Sequence, residues 1–145
     1  MVVISKFARF LYLAGGMFKI LVIEDNKDLR ELFAILLKQN RFKFFTASTK
    51  EELLKELKEE KPDLILLDLD FAFIYDHIHN ICREIMPHIK EFRTPIIFLS
   101  TNKKKLANCY EIVPDATIEK PFDIKVVMEK IRGVITRQRP QENNS

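Results

Sequence analysis

The chain has 145 residues, of which 47% are hydrophobic and 31% charged, and its formal net charge is +3. This length suits one domain with a substantial core and is too short for two comfortable ones. The composition excludes a disordered chain, and so small a net charge indicates no particular class of partner. Cys82 and Cys109 lack the close pairing of a zinc or redox motif, so we expect both to be reduced and structural.

The two ends of the chain differ in character from the rest. Residues 1–16 are apolar with two basic residues, but their uninterrupted apolar run is too short to span a bilayer, and no clean cleavage pattern follows. Because Met17 resembles a fresh start, we interpret residues 1–16 as an N-terminal extension and residues 138–145 as a disordered tail or the start of a linker. We expect a cytoplasmic protein without membrane contact; the alternative is a signal-like segment at the N terminus.

Apolar runs typical of strands alternate with helical patterns between these ends. The predicted strands are "ILVI" at 20–23, "FKFFTA" at 42–47, "LILL" at 64–67, "IIFL" at 96–99 and "ATIE" at 116–119. Continuous runs such as "LILL" are typical of central parallel strands that are buried on both faces. Ser48 and Glu51 form a capping-box pattern at the start of the second helix, and Asn40 suits the end of the first.

Three further helices complete the predicted alternation. The third has isoleucines at helical spacing (Ile74, Ile78, Ile81, Ile85, Ile89), the fourth covers 103–111, and the last has an apolar face formed by Ile124, Val127, Met128, Ile131 and Ile135. We therefore predict an α/β fold, a doubly wound five-stranded parallel sheet with helices on both faces. The flavodoxin-like strand order 2-1-3-4-5 is the expected topology.

Polar side chains follow four of the predicted strands. They are Glu24 and Asp25 after the first, Asp68 and Asp70 after the third, Ser100 after the fourth and Lys120 after the fifth. In this topology the carboxyl ends of the first and third strands are neighbours, so their acids converge. Crowded carboxylates raise one another's pKa or recruit a cation, and Mg²⁺ prefers oxygen ligands. The hydroxyl and the lysine add donors for a phosphoryl group, with Asp68 as the nucleophile.

Four segments carry a family resemblance. In order and spacing, "KILVIEDNKDLRELF", "KPDLILLDL", "TPIIFLS" and "IEKPF" resemble the receiver domain of bacterial response regulators, over roughly residues 17–137. The resemblance implies that Asp68 accepts the phosphoryl group. It implies that Mg²⁺ binds Asp25, Asp68 and the backbone carbonyl of Asp70, with Glu24 acting through water. It also implies that Ser100 is the switch hydroxyl, and that Lys120 contacts the phosphate and precedes a cis bond to Pro121.

The resemblance also implies partners. A sensor histidine kinase or phosphotransfer protein would donate the phosphoryl group, and an output protein or domain would bind the face formed by the fourth helix, fifth strand and fifth helix. A homodimer is a further option, and we expect no enzymatic activity beyond the domain's own phosphorylation and dephosphorylation. The basic bias near the C terminus lacks interleaved aromatic residues, so we interpret it as a solvated helix face without nucleic-acid contact.

The chain departs from the family pattern in two places. The family's Met-Pro-x-x-(x)-Gly turn is absent after Asp68, and Thr117 stands where an aromatic switch residue is common. These departures favour an alternative function, a degenerate receiver that binds protein partners without phosphorylation. A haloacid-dehalogenase-like phosphatase is less favoured, because only Asp123 and Glu129 are available as its downstream acidic pair.

Some of these residues also have purely structural interpretations. We expect the Asp70 side chain to be exposed at a helix entry, so that only its backbone takes part in the site. Ser100 as an ordinary strand-end hydroxyl and Lys120 as a surface lysine remain alternatives. His77, His79 and His88 are predicted to be solvated rather than metal ligands, since the first two lie on different helix faces.

Overall fold

The computed structural model describes residues 18–70, 78–104 and 112–137. The predicted N-terminal extension, the C-terminal tail, Cys109, His77 and most of the predicted fourth helix lie outside these ranges. Numbering the described helices in chain order makes the last predicted helix, at Ile124–Arg137, α4.

The described ranges contain five strands and four helices, and a described helix separates consecutive strands except the last two. The strands are β1 (Lys19–Ile23), β2 (Lys43–Ala47), β3 (Leu64–Asp68), β4 (Ile96–Ser100) and β5 (Ala116–Glu119). The helices are α1 (Lys27–Gln39), α2 (Lys50–Glu60), α3 (Ile78–Phe92) and α4 (Ile124–Arg137). All strand pairs are parallel, in the order β2-β1-β3-β4-β5. The predicted fold class and strand order are confirmed.

The sheet separates two apolar clusters. Every residue of β3 and of β4 is buried, and side chains alternate between the two faces of the sheet. Leu21, Ile65 and Phe98 pack on one face with residues of α2 and α3. Ile20 and Leu66 pack on the other face with residues of α1 and α4. This burial on both faces explains why the central strands are continuously apolar in sequence.

The helix ends follow the polar residues beside them, with one shift in register. Asn40 is the C-cap of α1, as predicted. The N-cap of α2 is Thr49 rather than Ser48, because Thr49 Oγ1 accepts a hydrogen bond from Glu52 N at 3.1 Å. Glu52 Oε2 in turn accepts from Ser48 N at 2.8 Å. The predicted pair of Ser48 and Glu51 is therefore wrong by one residue, since "TKEE" offers the same spacing one position later.

In the described part of the chain, three turns have a left-handed backbone at a residue other than glycine. Arg41, Lys61 and Arg93 have φ values of 63°, 48° and 52°. Each follows a helix and precedes β2, β3 or β4, so all three lie at the amino edge of the sheet. The chain has three glycines, of which only Gly133 falls in the described ranges, within α4.

His88 corrects the prediction that the histidines are solvated. It lies three residues after the buried Ile85, on the inward face of α3, and is 7% exposed. Its ring lies 4.8 Å from that of Phe92, and burial lowers the pKa of the imidazole below its ordinary value. Within the described ranges, no helix is long and apolar enough to cross a membrane.

Candidate functional site

The carboxyl ends of the strands border an open cleft. Its volume is about 650 Å³, and it is lined by Glu24, Asp25, Asn26, Asp28, Leu29, Leu32, Asp68, Asp70 and Lys120. Ile23 pairs with Leu67 across β1 and β3, so the residues that follow these two strands are side by side. The predicted acids and the predicted lysine are thus brought together by strand order alone.

Asp68 lies at the centre of the cleft as the last residue of β3. Its side chain is 3% exposed, and both carboxylate oxygens have partners. Oδ1 accepts a hydrogen bond from Asp70 N at 2.8 Å, and Oδ2 is bonded to Lys120 Nζ. Burial alone would lower the pKa of Lys120, but Asp68 together with Glu24 and Asp70 raises it above its ordinary value, so the ammonium stays charged.

On one side of Asp68 lie Glu24 and Asp25, here called the acidic side. Glu24 is 2% exposed, and its Oε1 accepts a hydrogen bond from Asn26 N at 3.0 Å. Its Oε2 is buried and has no hydrogen-bond partner within the described ranges. Burial and the neighbouring Asp68 raise the pKa of Glu24 to about 9. The buried carboxyls of Glu24 and Asp68 are therefore too close to be ionised together at neutral pH.

The main chain of the acidic side is held by α1. Arg30 donates hydrogen bonds from one guanidinium nitrogen to the carbonyls of Glu24 and Asp25, at 3.1 and 2.8 Å. Asn26 Oδ1 accepts from Leu29 N at 2.9 Å and so caps α1. These bonds fix the turn that places Asp25, which is partly buried, at the cleft.

On the other side of Asp68 lie Ser100, Thr101 N–H and Lys120, here called the donor side. The structure corrects the expectation that the Asp70 side chain is exposed, because this carboxylate is bound here and is 21% exposed. Ser100 Oγ donates to Asp70 Oδ1 at 2.8 Å, and Thr101 N donates to Oδ2 at 2.7 Å. Lys120 Nζ lies 3.6 Å from the same Oδ2.

Hydrogen bonds fix the position of Ser100, which is fully buried. Ser100 Oγ accepts from Asn102 N at 2.9 Å, and Ser100 O accepts from Lys120 N at 2.9 Å. The second bond joins the ends of β4 and β5, and the following Lys120–Pro121 bond is cis. Because the Lys120 side chain is only 17% exposed, it is not a surface lysine.

Three other predicted residues lie away from the cleft. Thr117 of β5 pairs with Phe98 of β4 and lines a hollow between β5 and α4. Asp123 lines the same hollow, and its Oδ1 accepts from Lys125 N at 2.8 Å at the start of α4. Glu129 lines a second hollow between β5 and α4. The acidic pair that a haloacid-dehalogenase-like phosphatase would need is therefore not at the acidic cleft.

The acidic side has the chemistry of a magnesium site. Glu24 Oε2 is buried and has no hydrogen-bond partner among the described residues, and a nearby cation would relieve the crowding that raises the pKa of Glu24. Within the described ranges, no three acidic, histidine or cysteine side chains are close enough to hold an ion by themselves. The predicted ligands instead combine the carboxylates of Asp25 and Asp68 with the carbonyl of Asp70. This set leaves room for the waters that Mg²⁺ keeps.

Two contacts of the site were missed from the sequence. They are the side chain of Asp70 and the N–H of Thr101. Their signal is in the strand register: Asp68 pairs with Leu99 across β3 and β4, so continuing both strands by two residues sets Asp70 beside Thr101. A register assignment would have found this contact, whereas motif spacing alone does not.

Comparison with known proteins identifies the family. Residues 20–132 match the family model of the response regulator receiver domain. The chain is 33% identical over 121 residues to the transcriptional regulatory protein YxdJ of Bacillus subtilis, covering 82% of this chain and 51% of that protein. It is 31% identical over 126 residues to the phosphate regulon transcriptional regulatory protein PhoB of Escherichia coli, covering 84% and 53%. The chain thus spans about half the length of these relatives.

Solved structures share the same fold. A response regulator from Thermotoga maritima superposes with a TM-score of 0.68 at 22% identity, covering 82% of this chain and 98% of that one. The receiver domain of the sensor histidine kinase PA1611 from Pseudomonas aeruginosa, described with magnesium coordinated in its active site cleft, gives 0.69 at 20% identity, covering 83% and 98%. Family match, relatives and strand order agree, and this chain belongs to the receiver domain family of two-component response regulators.

Proposed function

We propose that the domain receives a phosphoryl group on Asp68 from a sensor histidine kinase or a phosphotransfer protein. The observation that carries this proposal is the position of the Asp68 carboxylate, which is buried between the ammonium of Lys120 and the carboxyl of Glu24, whose Oε2 has no hydrogen-bond partner within the described ranges. Such a nucleophile needs charge neutralisation and positioning rather than a separate base. Mg²⁺ is the proposed cofactor, held by Asp25, Asp68 and the backbone carbonyl of Asp70, with Glu24 acting through water.

The proposed transfer moves one phosphoryl group. An oxygen of Asp68 forms a bond to phosphorus while the bond from phosphorus to the donor histidine nitrogen breaks, and that nitrogen keeps the electron pair. When bound, Mg²⁺ neutralises charge on the phosphoryl oxygens and on the carboxylates. Lys120 supplies a fixed positive charge beside Asp68, and Ser100 Oγ supplies a hydroxyl donor for a phosphoryl oxygen.

The signal would leave the site through β5 and α4. Ser100 O accepts a hydrogen bond from Lys120 N, which follows β5. The residue whose hydroxyl would meet the phosphoryl group is therefore bonded directly to the end of β5. A shift of Ser100 toward a phosphoryl oxygen would therefore act on β5, where Thr117 lies beside α4. We propose the face of β5 and α4, with the predicted helix at 103–111, as the surface for an output protein or domain.

Intact-mass spectrometry with acetyl phosphate and Mg²⁺ tests this function. We expect one labile phosphoryl group on the parent, with acetate leaving, and none on Asp68→Asn. Glu31→Gln is the matched control, because it removes one exposed carboxylate of α1 and should keep the label.

Label on Asp68→Asn would contradict the assignment of the acceptor. No label on the parent would reject phosphorylation and favour the alternative, a degenerate receiver that binds partners without it. In that case a pull-down with the candidate output domain should not depend on Asp68.

A further inference from the structure

The donor side already has an anionic occupant. The carboxylate of Asp70 accepts hydrogen bonds from Ser100 Oγ at 2.8 Å and from Thr101 N at 2.7 Å, one on each oxygen. Lys120 Nζ lies 3.6 Å from Oδ2. A hydroxyl, a main-chain N–H and an ammonium are the donors that the oxygens of a phosphoryl group would use. Asp70 thus holds the groups that a phosphoryl group on Asp68 would need.

The occupant is an acceptor on both of its oxygens, as an ionised carboxylate is. Ser100 Oγ and Thr101 N are the donors in its two hydrogen bonds, and the Lys120 ammonium lies beside Oδ2. A second negative charge therefore stands where a negatively charged phosphoryl group would arrive. Two anions cannot share the same two donors at hydrogen-bond distance.

We propose that Asp70 is a built-in competitor of the phosphoryl group, and that its carboxylate must leave Ser100 and Thr101 before the phosphorylated state can form. This inference rests on the proposed function. It makes Asp70 a residue that limits both the rate of phosphorylation and the stability of the aspartyl phosphate. Within the described ranges, the other hydrogen-bond partner of Ser100 Oγ is Asn102 N. Asn102 N is a donor, so it does not compete with a phosphoryl oxygen for the Ser100 proton.

The displacement needs no rearrangement of the main chain. The Asp70 side chain is 21% exposed and lines the open cleft, so it can rotate toward solvent. Asp70 N–H bonds to Asp68 Oδ1 through the main chain and is independent of that rotation. The backbone carbonyl proposed for Mg²⁺ can therefore stay in place while the carboxylate moves.

The test compares Asp70→Asn with the parent in the acetyl phosphate reaction, followed by intact mass against time. We expect the rate of phosphorylation to rise about fivefold or more, the size expected when one like charge is removed at roughly 4 Å in water. The lifetime of the aspartyl phosphate should rise as well. Asp70→Ala is a second variant, since it also removes the acceptor oxygens, and Glu31→Gln controls for net charge alone.

A parent that labels, with Asp70→Asn and Asp70→Ala labelling faster while Glu31→Gln does not, would support the competitor. Equal or slower labelling of both Asp70 variants beside a labelled parent would overturn the competitor and leave the proposed function standing. No label on any variant would overturn the proposed function and the competitor with it.

Discussion

The two sides of the cleft treat the same chemical group in opposite ways. On the acidic side, the buried carboxyl of Glu24 has one oxygen with no hydrogen-bond partner in the described part of the chain, and its pKa rises to about 9. On the donor side, both oxygens of Asp70 have partners and the pKa of the carboxyl falls below its ordinary value. Burial acts to raise both pKa values, so the difference comes from the neighbours of each carboxyl. Asp68 raises the pKa of Glu24 further, whereas Thr101 N–H, Ser100 and Lys120 lower the pKa of Asp70.

Removing the cation of the donor side should have the largest effect. In Lys120→Met, the buried Asp68 loses its charged partner while its own carboxylate stays. Breaking a buried ion pair from one side costs about 3 kcal/mol or more, because the remaining charge is uncompensated. We expect a drop of that size in the free energy of unfolding at pH 7, measured by urea denaturation.

Lys103→Met is the matched control for that variant. Lys103 Nζ lies 3.8 Å from Glu119, and its side chain is 76% exposed, so its loss should change stability by less than about 0.5 kcal/mol. Equal effects of the two substitutions would mean that Lys120 does not hold the donor side together.

Neutralising Glu24 should relieve the acidic side. The folded protein keeps this proton up to about pH 9, whereas the unfolded chain releases it near pH 4.5. Stability from the protonated group is therefore complete below about pH 4.5 and is lost as the pH rises toward 9. Glu24→Gln keeps an acceptor for Asn26 N–H and removes the titration. We expect it to be more stable than the parent by a margin that grows as the pH rises from 5 toward 9, measured by urea denaturation over that range.

Glu31→Gln provides the comparison, since its side chain is 63% exposed and its stability should follow the parent at every pH. A parent and a Glu24→Gln variant with parallel pH profiles would show that Glu24 does not carry the raised pKa of the acidic side.

Magnesium binding should depend on Asp25 and not on Ser100 of the donor side, and its effect should be the smallest. At an ion concentration of roughly ten times its Kd, binding to the folded state stabilises by about 1.4 kcal/mol. We expect a thermal-shift gain with Mg²⁺ in the parent and in Ser100→Ala, and its loss in Asp25→Asn. A gain that survives Asp25→Asn and disappears in Ser100→Ala would place the ion on the donor side.

Much of the site was predictable because it depends on the order of the strands in the sheet and not on contacts between particular side chains. Apolar runs locate the strands, and parallel strands end at one edge, so polar residues after four strands were expected at a single cleft. Glu24, Asp25, Asp68 and Lys120 line that cleft. Ser100 is fully buried and joins the site through its hydrogen bond to Asp70. The Asp70 side chain was misjudged because its partners, Ser100 and Thr101, are 30 and 31 residues away in sequence. No local pattern encodes a hydrogen bond across two strand ends.

Local signals failed where two choices had nearly equal chemistry. Ser48 and Thr49 are adjacent hydroxyl residues, each followed three positions later by a glutamate, so only the structure distinguishes the N-cap. His88 was misjudged because residue type alone suggested solvent, although its spacing from Ile85 already set it on the inward face of α3.

The three residues with a left-handed backbone at the amino edge of the sheet are sites where stability could be changed by substitution. Arg41, Lys61 and Arg93 adopt a conformation that costs a residue with a Cβ about 1–2 kcal/mol relative to its right-handed form, whereas glycine adopts it freely. All three lie at the opposite end of the strands from the cleft. Glycine at these turns would therefore change the stability of the domain without altering the residues of the cleft. Such substitutions could compensate for cleft variants that lower the free energy of unfolding.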